Sequence, residues 1–314
     1  YLQMRPQHPC SLHLHLYAGR KMSDFIKQEG SLCAFASSDA WVILSPIEQS
    51  IKRKIEAVGT PLRDWDIKIN YGIKTGYNDA FIISTEKRNE ILANCQTEEE
   101  RQKTADLIRP ILRGRDIKRY GYEWADLWLI ATFPSRHYNI DDYPAIKNYL
   151  LSYGIERLEQ TGNTHIVDGE RVKARKRTCN KWFETQDSIS YWELFFQPKI
   201  VYPETTQGAY FAYDTKGIFI DKTCFMLISK DALFLQKMLS SRLFEVTYKT
   251  IFSSVELGEH GYQYNKHALV KLPIVASTKA MDAINALDEE FDIDQKIYEL
   301  YGLSAEEIAF IESQ

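Results

Sequence analysis

The sequence predicts an α+β fold: a mixed, largely antiparallel β-sheet domain with flanking helices and a helical C-terminal segment. Three observations predict it. Short alternating or apolar runs separated by turn chemistry fill the middle of the chain. Capped, periodic apolar segments lie on either side of them. Strands and helices do not alternate regularly, as a doubly wound sheet would require. With 314 residues, 44% apolar and 13% aromatic, the chain can bury a sizeable core.

Residues 1–44 read as a connector or as the tail of a preceding domain. The opening YLQMRPQHPC has neither a starting Met nor a signal-peptide pattern, and it suggests a piece excised from something longer. Ser45-Pro46-Ile47-Glu48 then opens a helix, with Ser as cap, Pro in the first turn and Glu48 closing a capping box. Ile47, Ile51, Ile55 and Val58 share its apolar face, and Gly59 ends it. From Trp65 to Ser84 the run WDIKINYGIKTGYNDAFIIS reads as a strand, a glycine-bearing turn and a second strand, paired as a hairpin. Trp65, Ile67, Ile69 and Tyr71 point one way, and Asp66, Lys68 and Asn70 the other.

Thr97-x-x-Glu100 starts a helix that must stop before Pro110, and Pro144 to about Glu159 reads as another, burying Ile146, Tyr149, Leu150 and Leu158. Residues 161–181 read as a long exposed loop. Lys199–Tyr202, Tyr210–Tyr213, Gly217–Ile220 and Phe225–Ile228 read as strands, with Asp214–Gly217 as a hairpin turn. Asp231 to about Phe252 is helical, and Ser304-x-x-Glu307 caps a terminal helix.

Net charge is −4, but its distribution is uneven. Arg171 to Lys181 carries six Lys or Arg and no acid, and Arg109 to Arg119 carries five and one acid. Asp282 to the end holds ten acids and one Lys. A basic middle with an acidic tail is the asymmetry of a protein that turns one face to a polyanion. No apolar run is long enough to span a membrane. Five dispersed cysteines fit a reducing cytoplasm rather than a disulfide framework.

Several chemistries are missing. No two of the ten prolines are adjacent, and no two glycines form Gly-x-Gly, which excludes the dinucleotide fingerprint. A phosphate-binding P-loop and a Gly-x-Ser-x-Gly elbow are absent as well. Asp66-Ile-Lys68, with Asp64 upstream, matches the acid-x-Lys element of a magnesium-dependent nuclease, but so does the polar face of a strand. His8, Cys10, His13 and His15 are the one cluster with metal-ligand character, and His13 and His15 alternate with leucines as a strand's polar face does.

The blocks IKINYGIKTGYNDAFII, IRPILRGRDIKRY and WFETQDSISYWELFFQPKIVYPE, in this order, resemble the C-terminal specificity domain of Taq-type adenine DNA methyltransferases. Related domains occur in single-chain restriction-modification enzymes. The resemblance runs from about Ser45 to the C-terminus and implies a target-recognition domain over 45–275, followed by a helical segment over 276–314. It implies double-stranded DNA and a methyltransferase domain of the same parent chain as partners, in a bacterial or archaeal cytoplasm. The fragment itself would bind no cofactor. S-adenosylmethionine, and magnesium if a nuclease is present, would belong to the parent.

The expected DNA contacts are Lys74, Thr75 and Asn78 in the turn, Arg113, Arg115, Lys118 and Arg119 in the second block, and the basic run Arg171, Lys173, Arg175, Lys176, Arg177 and Lys181. Arg113 and Arg115 are expected to be half structural, with Arg115 either on phosphate or paired with Asp116. Trp182, Tyr191 and Trp192 are expected to pack rather than stack on bases, and Gln197 and Gln207 would read bases only from a groove face. Two rivals stand beside this reading: nuclease chemistry within residues 1–70, and a protein-interaction module built on an apolar stripe of the acidic C-terminal helices.

Overall fold

A computed structural model describes residues 44–252, 256–257 and 261–314. The His8, Cys10, His13 and His15 cluster and most of the expected connector lie outside the described residues. The chain forms two compact units.

Within the described residues, the first unit joins 44–64, 241–252 and 267–314. Its helix Pro46–Val58 begins with the predicted capping box at Ser45 and Glu48, and it buries Ile51 and Ile55 while Val58 stays exposed. Thr60–Pro61 pairs antiparallel with Pro273–Ile274. Helices Thr278–Asn285, Glu290–Leu300 and Ala305–Ser313 complete the unit, the last with its own capping box at Ser304 and Glu307. Glu307 also accepts from Ser50 at 2.8 Å and pairs with Lys54, so one carboxylate ties the unit's last helix to its first. The apolar positions Ala280, Ile284, Ile293, Ile297 and Ile311 are buried. Phe291 is the one large hydrophobic of these helices found exposed among the described residues.

The second unit spans 65–240 with 256–257 and 261–266. Two four-stranded sheets supply its core. One is antiparallel, in the order Ala212–Asp214, Lys199–Pro203, Cys224–Ile228, Lys68–Tyr71. The other is mixed: Phe219–Ile220 runs parallel to Ile108–Leu112, which is followed by Leu127–Ile130 and Ile82–Ser84 antiparallel. Val201, Ala212 and Met226 of the first sheet and Ile83, Ile111, Leu112 and Leu129 of the second belong to one apolar cluster.

The strand Lys199–Pro203 is buried at every position, Lys199 included. Its ammonium pairs with buried Asp214 and donates to the Phe195 carbonyl. Asp214 also accepts from the Tyr122 hydroxyl at 3.0 Å and from the amides of Lys216 and Ile218. A charge removed from water this completely persists only because every partner is in place. Burial, and then the Asp214 charge, push the Tyr122 phenol up to about 12.

Several elements differ from expectation. Trp65–Ser84 is not a hairpin. Lys68–Tyr71 and Ile82–Ser84 join different sheets, and a short helix, Asn78–Phe81, lies between them. Gly72 passes so close to Asp221 that a Cβ there would overlap the Asp221 carbonyl oxygen, so the chain leaves the first strand through a position only glycine can fill. Asp214–Gly217 is a turn, but its flanking strands also diverge into the two sheets. The expected helix 144–159 breaks at Gly154, where φ is +81°, into Pro144–Leu151 and Ile155–Leu158. The helix expected over 231–252 breaks at Ser241, which caps the second piece. Helix Thr85–Ala93, capped by Ser84, was not anticipated.

Residues 161–181 are a loop only in part: 174–181 are irregular, but 164–173 are not. Thr164–Val167 and Glu170–Lys173 form a two-stranded antiparallel ribbon. Its two-residue turn is Asp168-Gly169, both with positive φ, as a type I′ turn requires.

Candidate nucleic-acid interface

The expected DNA contacts fall into two groups and lose some members. The first group surrounds Gly114–Asp116, a 3₁₀ turn. Arg113, not Arg115, pairs with Asp116: its Nε and Nη2 donate to the two carboxylate oxygens at 3.0 and 2.8 Å, and its backbone amide adds a third bond at 2.8 Å. Burial alone would raise the Asp116 pKa, but the Arg113 hydrogen bonds hold it below the usual carboxylate range. The Gly114 amide donates to Thr223 Oγ1 at 3.1 Å, and Thr223 is in turn held by buried Asp221. Arg113 is therefore committed to pinning the turn. Arg115 points outward, and Lys118, also exposed, lies beside it with Nζ on the Arg115 carbonyl at 3.0 Å. Arg119 is half buried against the Tyr120 ring, 5.8 Å from its centroid, rather than outward as expected.

Arg115 and Lys118 line a groove of about 960 Å³ together with Lys222, Thr205, Gln207 and Tyr210. Among the described residues Glu204 is the one acid in the lining, against three cations. Lys222, Thr205, Thr223 and Gln207 are all exposed. Among the candidate base readers, Gln207 is thus in the groove, while Gln197 lines a separate small cavity with Asp66 and Lys68. Lys222, in a turn, and Thr205, in the short strand Thr205–Thr206, carried no signal in the sequence, because neither belongs to a cluster of like residues.

The second group is organised around Arg175, and here the expectation reverses. Arg175 is buried, 4% exposed. Nε donates to the Leu158 carbonyl at 2.7 Å, Nη1 to those of Thr75 and Glu184 at 2.8 and 2.7 Å, and Nη2 to that of Trp182. The guanidinium also lies 5.0 Å from the Phe81 ring centroid. Burial pushes its pKa down to about 10, which still leaves it charged at neutral pH. All three guanidinium nitrogens donate to backbone carbonyls, so Arg175 is a buried clamp rather than a phosphate contact. Thr75 is equally internal at 1% exposure, its hydroxyl donating to Asn78 Oδ1 at 2.6 Å. Asn78 and Lys74 remain accessible.

The clamp ties the Lys74–Asn78 turn to the basic segment. The amides of Gln186 and Asp187 donate to the Lys74 carbonyl, and both Lys74 and Lys176 act on the Asp187 carboxylate. Burial raises the Asp187 pKa, and the two ammonium groups partly offset it. Arg171, Lys173, Lys176, Arg177 and Lys181 are exposed. Trp182, Tyr191 and Trp192 pack against the core as expected, and the Tyr191 hydroxyl donates to the Tyr71 carbonyl at 2.8 Å.

Among the described residues there is no group of three or more His, Cys, Asp or Glu placed to hold a metal ion. No described helix is long and apolar enough to cross a membrane.

A family model described as the TaqI-like C-terminal specificity domain matches residues 109–274. The Type II methyltransferase M.PaeR7I of Pseudomonas aeruginosa is 22% identical over 282 residues, covering 86% of this chain and 44% of its own length. Among solved structures, the type IIG restriction endonuclease BpuSI is similar in fold, with a TM-score of 0.51 and 10% identity over 86% of this chain and 32% of its own. The type IIL restriction-modification enzyme MmeI, solved in complex with DNA, gives a TM-score of 0.49 and 14% identity over 90% and 37%. The chain spans less than half the length of each of these proteins.

Proposed function

The chain belongs to the TaqI-like C-terminal specificity domains, and we propose that it is the sequence-reading domain of a restriction-modification protein, binding double-stranded DNA without catalysing a reaction itself. The observation that carries this is the groove beside Gly114–Asp116, where three cations face outward around hydroxyl and amide groups. Lys and Arg neutralise phosphates and release counterions, which supplies affinity for any sequence. Thr and Gln can then discriminate base edges. Arg115, Lys118 and Lys222 are the proposed phosphate contacts of the groove, with Gln207 and Thr205 as readers. Lys74, Arg171, Lys173, Lys176, Arg177 and Lys181 extend the cationic surface.

In this reading the parent is an adenine methyltransferase, with or without an endonuclease, in a bacterial or archaeal cytoplasm. The target adenine must leave the duplex before its amino group can be methylated, and that chemistry lies outside this chain. S-adenosylmethionine would be bound there, since the sequence has neither a Gly-x-Gly nor the paired prolines of an Asn/Asp-Pro-Pro-aromatic loop, and any magnesium would serve an endonuclease of the parent. All of the proposed contacts lie in the unit built on 65–240, and the expected boundary at 275 does not separate the C-terminal helices, because 267–314 form one compact unit with 44–64 and 241–252.

The test is duplex binding by fluorescence anisotropy between 50 and about 200 mM salt. The wild-type chain should bind with a steep salt dependence. Replacing Arg115, Lys118 and Lys222 together by Ala should weaken binding to all sequences and flatten the log–log salt slope by about three. Absence of binding by the wild type, or an unchanged slope in the triple variant, would refute the proposal.

A further inference from the structure

We infer that the ribbon Thr164–Val167/Glu170–Lys173 is the element that enters the major groove, with Ile166 contacting a thymine methyl and Arg171 and Lys173 holding the adjacent DNA backbone. The inference rests on the DNA-reading proposal above and assigns one part of it. Register decides the two faces. Thr164 pairs with Lys173 and Ile166 with Arg171, and all four side chains are exposed. His165 pairs with Val172 and Val167 with Glu170 on the opposite face, where His165, Val167 and Val172 are half buried. The outward face thus carries two cations, a hydroxyl and an isoleucine 69% exposed, and no acid.

An exposed isoleucine flanked by arginine and lysine has no packing role in this fold. Its surroundings match one occupant, a polyanion with apolar groups recessed between its charges. Duplex DNA presents this combination in the major groove, where phosphates border the thymine C5-methyl groups. The groove is about 12 Å wide and about 8.5 Å deep and admits a two-stranded ribbon. Four residues at about 3.4 Å each give the ribbon a length of about 14 Å, and Ile166, the third of its strand, lies about 10 Å along it, more than the depth of the groove.

The ribbon is also held in place. An isolated hairpin is marginal in water, so its pose depends on its base. There Ala174 donates to the Asn163 carbonyl at 2.9 Å, Gly162 to that of Arg175 at 2.9 Å, and Arg157 to that of Lys173 at 3.1 Å. The base is therefore built directly onto the Arg175 clamp. A rigid base lowers the ordering cost of binding.

The test begins with the full chain selecting duplexes from a randomised pool. Each thymine of the selected site is then replaced singly by deoxyuridine, which removes only the methyl group. At one position the wild type should lose about fourfold in affinity, the value of one buried methyl. Ile166→Ala should show no loss at that position, and Ile166→Thr a reduced one. Arg171→Ala with Lys173→Ala should weaken binding to all duplexes and lower the salt slope by about two. Melting curves of these variants should match the wild type, because the altered side chains are exposed. If the wild type selects a site but Ile166→Ala keeps both the preference and the thymine sensitivity, or no thymine is sensitive, the ribbon is not the reader and the DNA-reading proposal stands. A wild type that selects no sequence removes that proposal as well.

Discussion

Replacing Arg175 by Met removes the guanidinium and keeps most of the volume, so it isolates the clamp. Four carbonyls lose a donor. That of Glu184 retains the Gln160 amide at 3.0 Å, which leaves the carbonyls of Leu158, Thr75 and Trp182 to be satisfied. A buried acceptor deprived of its donor costs on the order of 1–3 kcal/mol. The methionine recovers part of this by relieving the desolvation of a buried charge. The balance is about 3–5 kcal/mol, a large share of the roughly 5–15 kcal/mol that stabilises a domain. For a unit of this size it corresponds to a fall in melting temperature of about 6–20 °C. Urea unfolding followed by tryptophan fluorescence would measure it, with the slope confirming that the same surface is exposed. Lys176→Met is the control: its side chain is exposed, so stability should change by less than about 0.5 kcal/mol while DNA affinity falls. Arg175→Lys should lie between, because one ammonium cannot span four carbonyls. If Arg175→Met leaves the unfolding midpoint unchanged and lowers the salt slope as Lys176→Met does, Arg175 faces DNA and the clamp argument is wrong.

Other outcomes follow from the same geometry. Lys199→Met should cost about 3–5 kcal/mol by leaving Asp214 charged and buried without its partner, read as a lowered urea midpoint. Asp116 titrates below its ordinary 3.8 in the folded protein, so its contribution is complete above that value and is lost as the pH falls through the folded pKa. Asp116→Asn should therefore lower stability at neutral pH and flatten the acid limb below about pH 4, as acid titration followed by circular dichroism would show. Asp187→Asn removes the carboxylate beside Lys74 and Lys176, and it should tighten binding to every duplex with an unchanged sequence preference. A shifted preference would place Asp187 at a base edge instead.

The features legible in the sequence are those whose partners lie within a few residues. The capping boxes at Ser45–Glu48 and Ser304–Glu307 and the Thr97 cap are as the spacing predicts, because a side chain bonding an amide three residues on needs no tertiary context. The ribbon turn was legible too, in Asp168-Gly169, but the density of charge around it favoured a loop. Strand partners were not legible. Lys68–Tyr71 and Ile82–Ser84 are separated by ten residues yet pair with strands of different sheets, because their partners, Cys224–Ile228 and Leu127–Ile130, lie far along the chain.

The sequence by itself determined the family, the α+β class, the starts of the helices capped at Ser45, Thr97 and Ser304 and the existence of a basic middle. Only the tertiary structure decided which positive side chains are available. Arg175 and Arg177 are chemically the same residue two positions apart, and one is buried among carbonyls while the other faces solvent. The difference arises because the acceptors for Arg175 come from Leu158, Trp182 and Glu184 and from Thr75, a hundred positions away, which only the tertiary fold brings together. Charge is a property of composition, whereas its exposure is set by contacts between segments distant in the chain.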